Sequence, residues 1–566
     1  MAAGDLIQYG AFLLAVALAS VPMGGYLARV FRRGPVGWAG PLDALERGVL
    51  RVLGVDPAWD MDGRDQAWAF TTLGLAGAAG LFLLLLAGRW LPGPPGDAHL
   101  PTPMTWDLAL NTAVSFATGT TWQAYGGETT LRHALQMVGL VTQGFLAGGS
   151  GLAMGLAVVR GFARNRTGGL GNFWSDLVRA VLYVLLPLAV VLALVLVGQG
   201  TVMNFRDHLA VAGLEGRGQV LALGPAAALE AIKNLGGNGG GFFAANGAHP
   251  LASPTPLANT LGLLAIVLVP AGLVRTFGLW AGRRDAAWVV LGVMVLLTAL
   301  GLAGLHRAEA RTPPALRAAA LQDLNLEGKE VRFGLAQTVL AGVVTANGAC
   351  GSAAAQPESF SALGEGILMA SLLLGEVAFG GPGTGLAGML MTAVVAVFLA
   401  GLMIGRTPEY LGKALGPREV RLAVVHALVY PAVVLPAGAL ALALPAGRAA
   451  LSGNPAPQRL TEALFAYASC VANNGLAMGG LAADTPFWNV STAVAMVVGR
   501  FVPAILALAL AGALARQRRR PAGLGSMPAG SLGFGALLFA TVVILGGLSF
   551  LPVLVLGPVA GHLVTP

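Results

Sequence analysis

The chain is 566 residues long, 56% hydrophobic and only 11% charged, against about 25% charged residues in an ordinary soluble domain. With a mean hydropathy of +0.73, the soluble globular class is excluded. Its 82 glycines are about twice the usual share of roughly 7% but follow no G-X-Y period, which excludes a collagen-like chain. Two cysteines, Cys350 and Cys470, exclude a disulfide framework, and the net charge of +8 sits in short loops, a pattern of membrane topology rather than nucleic-acid binding.

A helix needs about 20 predominantly apolar residues to cross a bilayer. In chain order, spans are predicted at 7–29, 67–91, 131–160, 173–198, 257–277, 286–304, 361–404, 420–444, 488–514 and 533–558. The fold class expected is an all-α polytopic membrane protein of about ten transmembrane helices. The first span lacks a basic start and a small-residue cleavage pattern, so it is read as a mature helix and not a signal peptide. Loops rich in Lys and Arg resist translocation, so 160–166, 275–284, 406–421 and 516–520 are expected to face the cytoplasm. That puts both termini outside, together with the longer connections 92–130, 199–256, 305–360 and 445–487. The cluster Arg516–Arg520 reads first as a topology anchor, with an anionic-lipid site as the alternative.

Each long outer connection contains a short, mildly apolar stretch that runs into Gly, Asn or Thr residues. Trp106–Phe116 leads into Thr120, Thr121, Trp122 and Gln123; Ala226–Ile232 leads into Gly237, Asn238 and Gly239. Leu335–Val344 leads into Ala349, Cys350 and Gly351; Leu460–Ala468 leads into Asn473, Asn474 and Gly475. Gln123, Gly239, Gly351 and Gly475 follow one another at spacings of 116, 112 and 124 residues, which argues for a repeat of span, short helix, polar loop and span. Irregular backbone at membrane depth is tolerated where it lines a wet cavity, and rings of carbonyl oxygens can replace the hydration shell of potassium. The named loop residues are therefore the candidate potassium filter, Cys350 acting through its carbonyl and Cys470 as small-residue packing.

The predicted division is an extra N-terminal helix and cytoplasmic loop at 1–66, pore repeats at 67–160, 173–277, 286–404 and 420–514, and a C-terminal helix at 533–566. The second helix of the third repeat is interrupted by Gly380, Gly381, Pro382, Gly383, Thr384 and Gly385. A helix cannot run comfortably through them, so a gate below the third loop is expected, with a simple kink as the alternative. Glu376 and Arg500 are ionisable groups in spans, expensive unless paired or facing water. They are read as ion-path residues, with a structural polar network as the alternative. Arg406 reads as a topology residue. Asp107, Glu230 and Glu462 are expected to complement the N-termini of three short helices. Gly148-Gly149-Ser150-Gly151 reads as helix packing.

Five stretches together carry a family resemblance: Trp122-Gln123; Gly236-Gly237-Asn238-Gly239-Gly240-Gly241-Phe242-Phe243 with Ala248-His249-Pro250; Gly375-Glu376-Val377-Ala378-Phe379-Gly380-Gly381; Gly405-Arg406-Thr407-Pro408-Glu409-Tyr410-Leu411-Gly412-Lys413; and Asn473-Asn474-Gly475. In this order, over nearly the whole chain, they resemble the potassium-binding A subunits of bacterial Kdp-type potassium-transporting ATPases. The resemblance implies four fused potassium-channel-like units that capture outside potassium and pass it through an intramembrane tunnel in the bacterial inner membrane. It implies as partners a P-type ATPase catalytic subunit, a single-span accessory subunit and a small single-span peptide, besides membrane lipid; no nucleic acid is expected. The chain has neither an Asp-Lys-Thr-Gly phosphorylation motif nor a Walker A loop, so no ATP site is expected and ATP hydrolysis falls to a partner. Gly237 stands where the family commonly has Thr, and Ala472 replaces one Asn of a longer Asn run, which touches selectivity and affinity. The alternative is a stand-alone channel-like potassium or sodium transporter of the same superfamily. A membrane hydrolase would need His-Glu-x-x-His or Gly-x-Ser-x-Gly in a span, and neither occurs.

Overall fold

A computed structural model describes residues 3–34, 40–90, 100, 102–206, 208–213, 215–310, 325–405, 408–451, 456–520 and 527–564. Among these, ten helices are long and apolar enough to cross a membrane, one for each predicted span. They are α1 (Ala3–Phe31), α3 (Gly63–Leu86), α5 (His133–Ala163), α6 (Phe173–Gly198), α8 (Pro256–Ala281), α9 (Arg284–Glu309), α12 (Thr384–Ile404), α13 (Pro417–Ala443), α15 (Pro486–Arg516) and α16 (Leu532–Val564). Between them lie an amphipathic α2 (Gly40–Val52), four short helices and α11 (Ala362–Leu373). The short helices are α4 (Trp106–Thr118), α7 (Ala226–Leu235), α10 (Gly334–Asn347) and α14 (Ala456–Val471). Besides short helical turns at Gly88–Trp90, Gly127–Thr130, Pro357–Ser359 and Pro445–Arg448 there are two antiparallel hairpins, β1 (Leu209–Ala212) with β2 (Gly218–Leu221) and β3 (Glu409–Tyr410) with β4 (Lys413–Ala414). The chain is an all-α, multi-pass membrane protein.

Long helix, short helix, loop and long helix recur four times, and burial separates two rings. The helices that follow a loop, α5, α8, α12 and α15, bury 89%, 72%, 67% and 61% of their most apolar stretch, against 22%, 33%, 44% and 28% for α3, α6, α9 and α13. Since lipid tails are as apolar as leucine, the inner ring is held by close packing of small residues. A Cβ added to Gly161 of α5 would stand 2.6 Å from Ala511 of α15. Local sequence sets the N-terminal ends of two inner helices: α8 and α15 both begin Thr-Pro, and the Thr255 and Thr485 hydroxyls accept from Ala258 N at 3.1 Å and Trp488 N at 3.5 Å. Threonine is a good N-cap, and proline at the first helical position costs no hydrogen bond.

At the other end of the long helices, the basic loops meet one another. Lys413 Nζ donates to Arg164 O at 2.7 Å and to Gln517 O at 2.8 Å. Arg520 pairs with Glu409 at 3.4 Å and Arg516 with Asp62 at 3.3 Å. The Arg516–Arg520 cluster is thus engaged within the protein. Arg406 lies outside the described residues.

Three expectations need correction. The break in the seventh span begins at Leu374, six residues before the glycine run, because α11 already ends at Leu373. Glu376 is therefore inside the break, whereas Thr384 and Gly385 belong to the first turn of α12. Of the three acids read as helix caps, Asp107 is in the first turn of α4, where its carboxylate accepts from Asn489 Nδ2 at 3.0 Å. Glu230 sits in the middle of α7, ion-paired with Lys233, and Glu462 is buried midway along α14.

Candidate functional site

Each short helix runs C-terminus first into its loop, so its partial negative charge is directed at the loop it precedes. Two residues before Gln123, Gly239, Gly351 and Gly475, the four loops do the same thing: Thr121, Gly237, Ala349 and Asn473 have φ of 51°, 60°, 50° and 49°. Three of these are not glycine. Left-handed backbone costs such residues on the order of 1–2 kcal/mol and persists where the surroundings enforce it, most often at functional sites. The kinship of the four segments is therefore conformational as well as compositional.

The loops lie against one another. A Cβ on Gly239 would stand 2.8 Å from Gly351 N and 2.9 Å from Asn474 O, and one on Gly351 would stand 2.9 Å from the same Asn474 O. Gly475, with φ of 91°, backs directly onto Thr120 O. Glycine at 239 and 475 is thus demanded by the close approach of backbones. Neutral side chains tie the segments together. Gly239 N donates to Thr121 Oγ1, Gly241 N to Gln123 Oε1 at 2.9 Å, Asn473 Nδ2 to Thr120 Oγ1 at 2.9 Å and Asn474 Nδ2 to Thr345 O at 2.8 Å. Asn238 Nδ2 reaches Gly144 O of α5 at 3.1 Å.

Three of the expected carbonyls are already engaged, and the first, Thr120 O, accepts from Thr121 Oγ1 at 2.9 Å. Trp122 O accepts from Ser115 Oγ at 3.0 Å, and Cys350 O accepts from Thr345 Oγ1 and from Ser352 N at 2.7 Å. Both cysteines are buried free thiols. On the loops' other side, a hollow of about 1250 Å³, counting space open to solvent, is lined by Trp122, Gln123, Gly240, Gly475 and Asp484 among others. Near it His249 stacks on Phe243 with ring centroids 3.7 Å apart, and burial holds its imidazole below the usual range.

Beneath the loops a small chamber, about 240 Å³ when space open to solvent is counted, gathers Gly237, Asn238, Ala349 and Asn473 with Glu376, Gly381, Pro382 and Arg500. Glu376 has φ of 64° and its carboxylate accepts from Thr384 Oγ1 at 2.8 Å. Arg500 donates to Ala147 O at 3.0 Å and lies 5.5 Å from the centre of the Phe70 ring. The two share the chamber, each held by its own partners. Gly380 closes the break locally by donating to Glu376 O at 3.0 Å, and Gly383, with φ of 96°, lies against Gly151 and Gly155 of α5. Gly375 and Val377, on either side of Glu376, face a second cavity, about 570 Å³ when space open to solvent is counted, with Thr392, His426, Tyr430 and Ser549.

Sequence reasoning missed two things here. The small-residue stripe of α5 is more than packing: a Cβ on Gly148 would stand 2.8 Å from Gly236 Cα and one on Gly151 2.6 Å from Pro382 O, so the stripe seats both the second loop and the break. The unusual glycine at 237 also has a neighbour, since its Cβ would stand 2.6 Å from Pro382 Cδ. The second miss is Lys233, wholly buried behind the second loop, for which one basic residue in a mildly apolar stretch was the only signal.

Residues 10–563 match the family profile of the potassium-transporting ATPase A subunit. A protein of Methylorubrum extorquens is 45% identical over 558 residues, covering 99% of this chain and 96% of that protein. Proteins of Rhodospirillum centenum and Yersinia pestis are each 44% identical, covering 100% of this chain and 98% and 99% of theirs. All three are named potassium-binding subunits of a potassium-transporting ATPase. By a profile match and relatives that both extend over almost its whole length, this chain belongs to the potassium-transporting ATPase A subunit family.

Proposed function

We propose that this chain is the potassium-selective subunit of an ATP-driven uptake complex, and that the four loops form its filter. One observation carries the reading. Four segments from distant parts of the sequence meet with a left-handed residue at the same position of each, and glycine stands where their backbones touch. Such an arrangement offers main-chain oxygens and short-helix C-termini to a dehydrated cation. Thr120, Thr121, Gln123, Gly237, Asn238, Gly239, Ala349, Gly351, Asn473, Asn474 and Gly475 line it, while Trp122 and Cys350 brace it through their engaged carbonyls.

Potassium enters from outside, where the loops and both termini lie, and reaches the chamber of Glu376 and Arg500. The break, including Gly380, Gly381 and Gly383, and the first turn of α12 with Gly385 bar straight passage to the cytoplasm. The cavity beyond Gly375 and Val377 gives the ion a sideways route through a tunnel to a P-type ATPase subunit. That subunit hydrolyses ATP, and an accessory single-span subunit, a small single-span peptide and lipid complete the assembly in the bacterial inner membrane. The four pore repeats, with one extra helix at each end, are the domains of this machine.

Co-purification tests the reading. The expected result is a P-type ATPase bound to this chain, with ATP hydrolysis stimulated by potassium. Passive cation flux through liposomes that contain this chain alone would overturn the pump assignment.

A further inference from the structure

The second loop is the softest of the four: five of the six residues Gly236–Gly241 are glycine, and glycine loses the most backbone freedom on ordering. Something must hold it. Lys233, one turn back on α7, has no exposed side-chain surface and is paired with Glu230, itself 4% exposed. Lys233 Nζ also donates to Asn246 O at 2.9 Å. Asn246, at φ of 54°, turns its side chain to the loop, where Oδ1 accepts from Gly240 N at 2.9 Å. The same oxygen lies 3.2 Å from where a Cβ on Gly351 would be, so this residue is wedged between the second and third loops. Glu230 Oε1 stands 2.8 Å from where a Cβ on Gly241 would be. The result is a chain of contacts from buried carboxylate to ammonium to Asn246 to the N–H of a loop glycine.

We propose that Lys233 is a positioning residue for ion selection. Acting through Asn246, it sets the orientation of the Gly239–Gly240 peptide and thereby the cavity that distinguishes potassium from smaller cations. Glu230 neutralises the ammonium, so the pair shapes the loop without presenting net charge to the permeating ion. A buried pair of this kind is weak evidence for stability, since desolvation offsets most of its attraction, whereas breaking it by removing one partner is costly. Its value here is geometric.

The inference rests on the reading of these loops as a potassium filter, and the test separates the two. In the intact complex, potassium-stimulated ATP hydrolysis is titrated with potassium, and then with potassium against sodium, for Gly239→Ala, Lys233→Met, Glu230→Gln with Lys233→Met, and Asn246→Ala. The double variant removes the orphaned carboxylate, so it decides the case if Lys233→Met alone fails to assemble. The expected result is that the double variant and Asn246→Ala both raise half-saturating potassium by about tenfold and narrow the potassium-to-sodium ratio, with the thermal midpoint near that of the parent. An unchanged ratio in both, alongside a shifted Gly239→Ala, overturns the role of Lys233 alone. If Gly239→Ala also leaves the titration unmoved, the filter reading fails and the inference falls with it.

Discussion

The two ends of the long helices are tied by opposite chemistry. At the loop end, the hydrogen bonds that cross from one segment to another run through threonine, asparagine, glutamine and backbone amides, all neutral, and the charged Lys233–Glu230 pair is set behind the second loop. At the other end, the loops are held by Lys413, Arg164 with Asp60, Arg516 with Asp62 and Arg520 with Glu409. A fixed charge beside a partly dehydrated cation would either trap it or repel it, so a site that must bind and release favours dipoles. Where no ion has to pass, partly exposed pairs such as Arg516 with Asp62 and Arg520 with Glu409 fasten loops at little cost because water still reaches them, whereas Lys413 is fully buried against backbone carbonyls.

Five substitutions probe that contrast, the largest effect first. Gly239→Ala and Gly475→Ala push a methyl group into the backbone of a neighbouring loop, and the alanine at 475 must also hold φ of 91°. Potassium half-saturation of transport is expected to rise by well over tenfold, more than ~1.4 kcal/mol. Thr121→Val leaves Gly239 N without its acceptor, a loss of about 1–3 kcal/mol, expected as roughly a tenfold rise in the same titration. A neutral substitution at this end that left affinity untouched would break the comparison.

At the opposite end the expected effect is on stability. Lys413→Met orphans the carbonyls of Arg164 and Gln517, which should lower the thermal midpoint of the purified complex with potassium half-saturation unmoved. Burial and the nearby Arg519 guanidinium pull Lys413 down to about 8, against about 10.4 in an unfolded chain. Between these values the unfolded state holds more protons, so stability rises with pH from about 8 to about 10.4. That rise should disappear in Lys413→Met. Arg520→Ala, which removes a largely exposed ion pair, should change stability by no more than about 0.5 kcal/mol and affinity not at all. Loss of potassium affinity in either variant would show that the two ends are coupled.

Much of this was legible in the sequence because the bilayer imposes a strict length and polarity code. Ten apolar stretches correspond to ten helices, and the four polar clusters at matched spacing fall on loops that share a left-handed residue. Glu230 shows where that legibility stops. A carboxylate near the start of a short helix reads as a cap, but whether it meets a backbone N–H or a lysine one turn on depends on where the helix begins, which packing decides. Arg500 and Glu376 were conspicuous as charges in spans, yet only the folded chain reveals that they share a chamber without touching.

Sequence alone determined the class, the number of crossings and the four loops, since hydrophobic length and glycine placement are local properties of the chain. Tertiary structure alone decided what those glycines face. Thr121, Gly237, Ala349 and Asn473 adopt one unfavourable conformation although they are four steps of a repeat with three different side chains and a glycine. Local propensity opposes that conformation most at Thr121 and Ala349, since glycine and asparagine adopt it more readily. It is the convergence of the loops, with the hydrogen bonds that each makes to a neighbouring segment, that holds it.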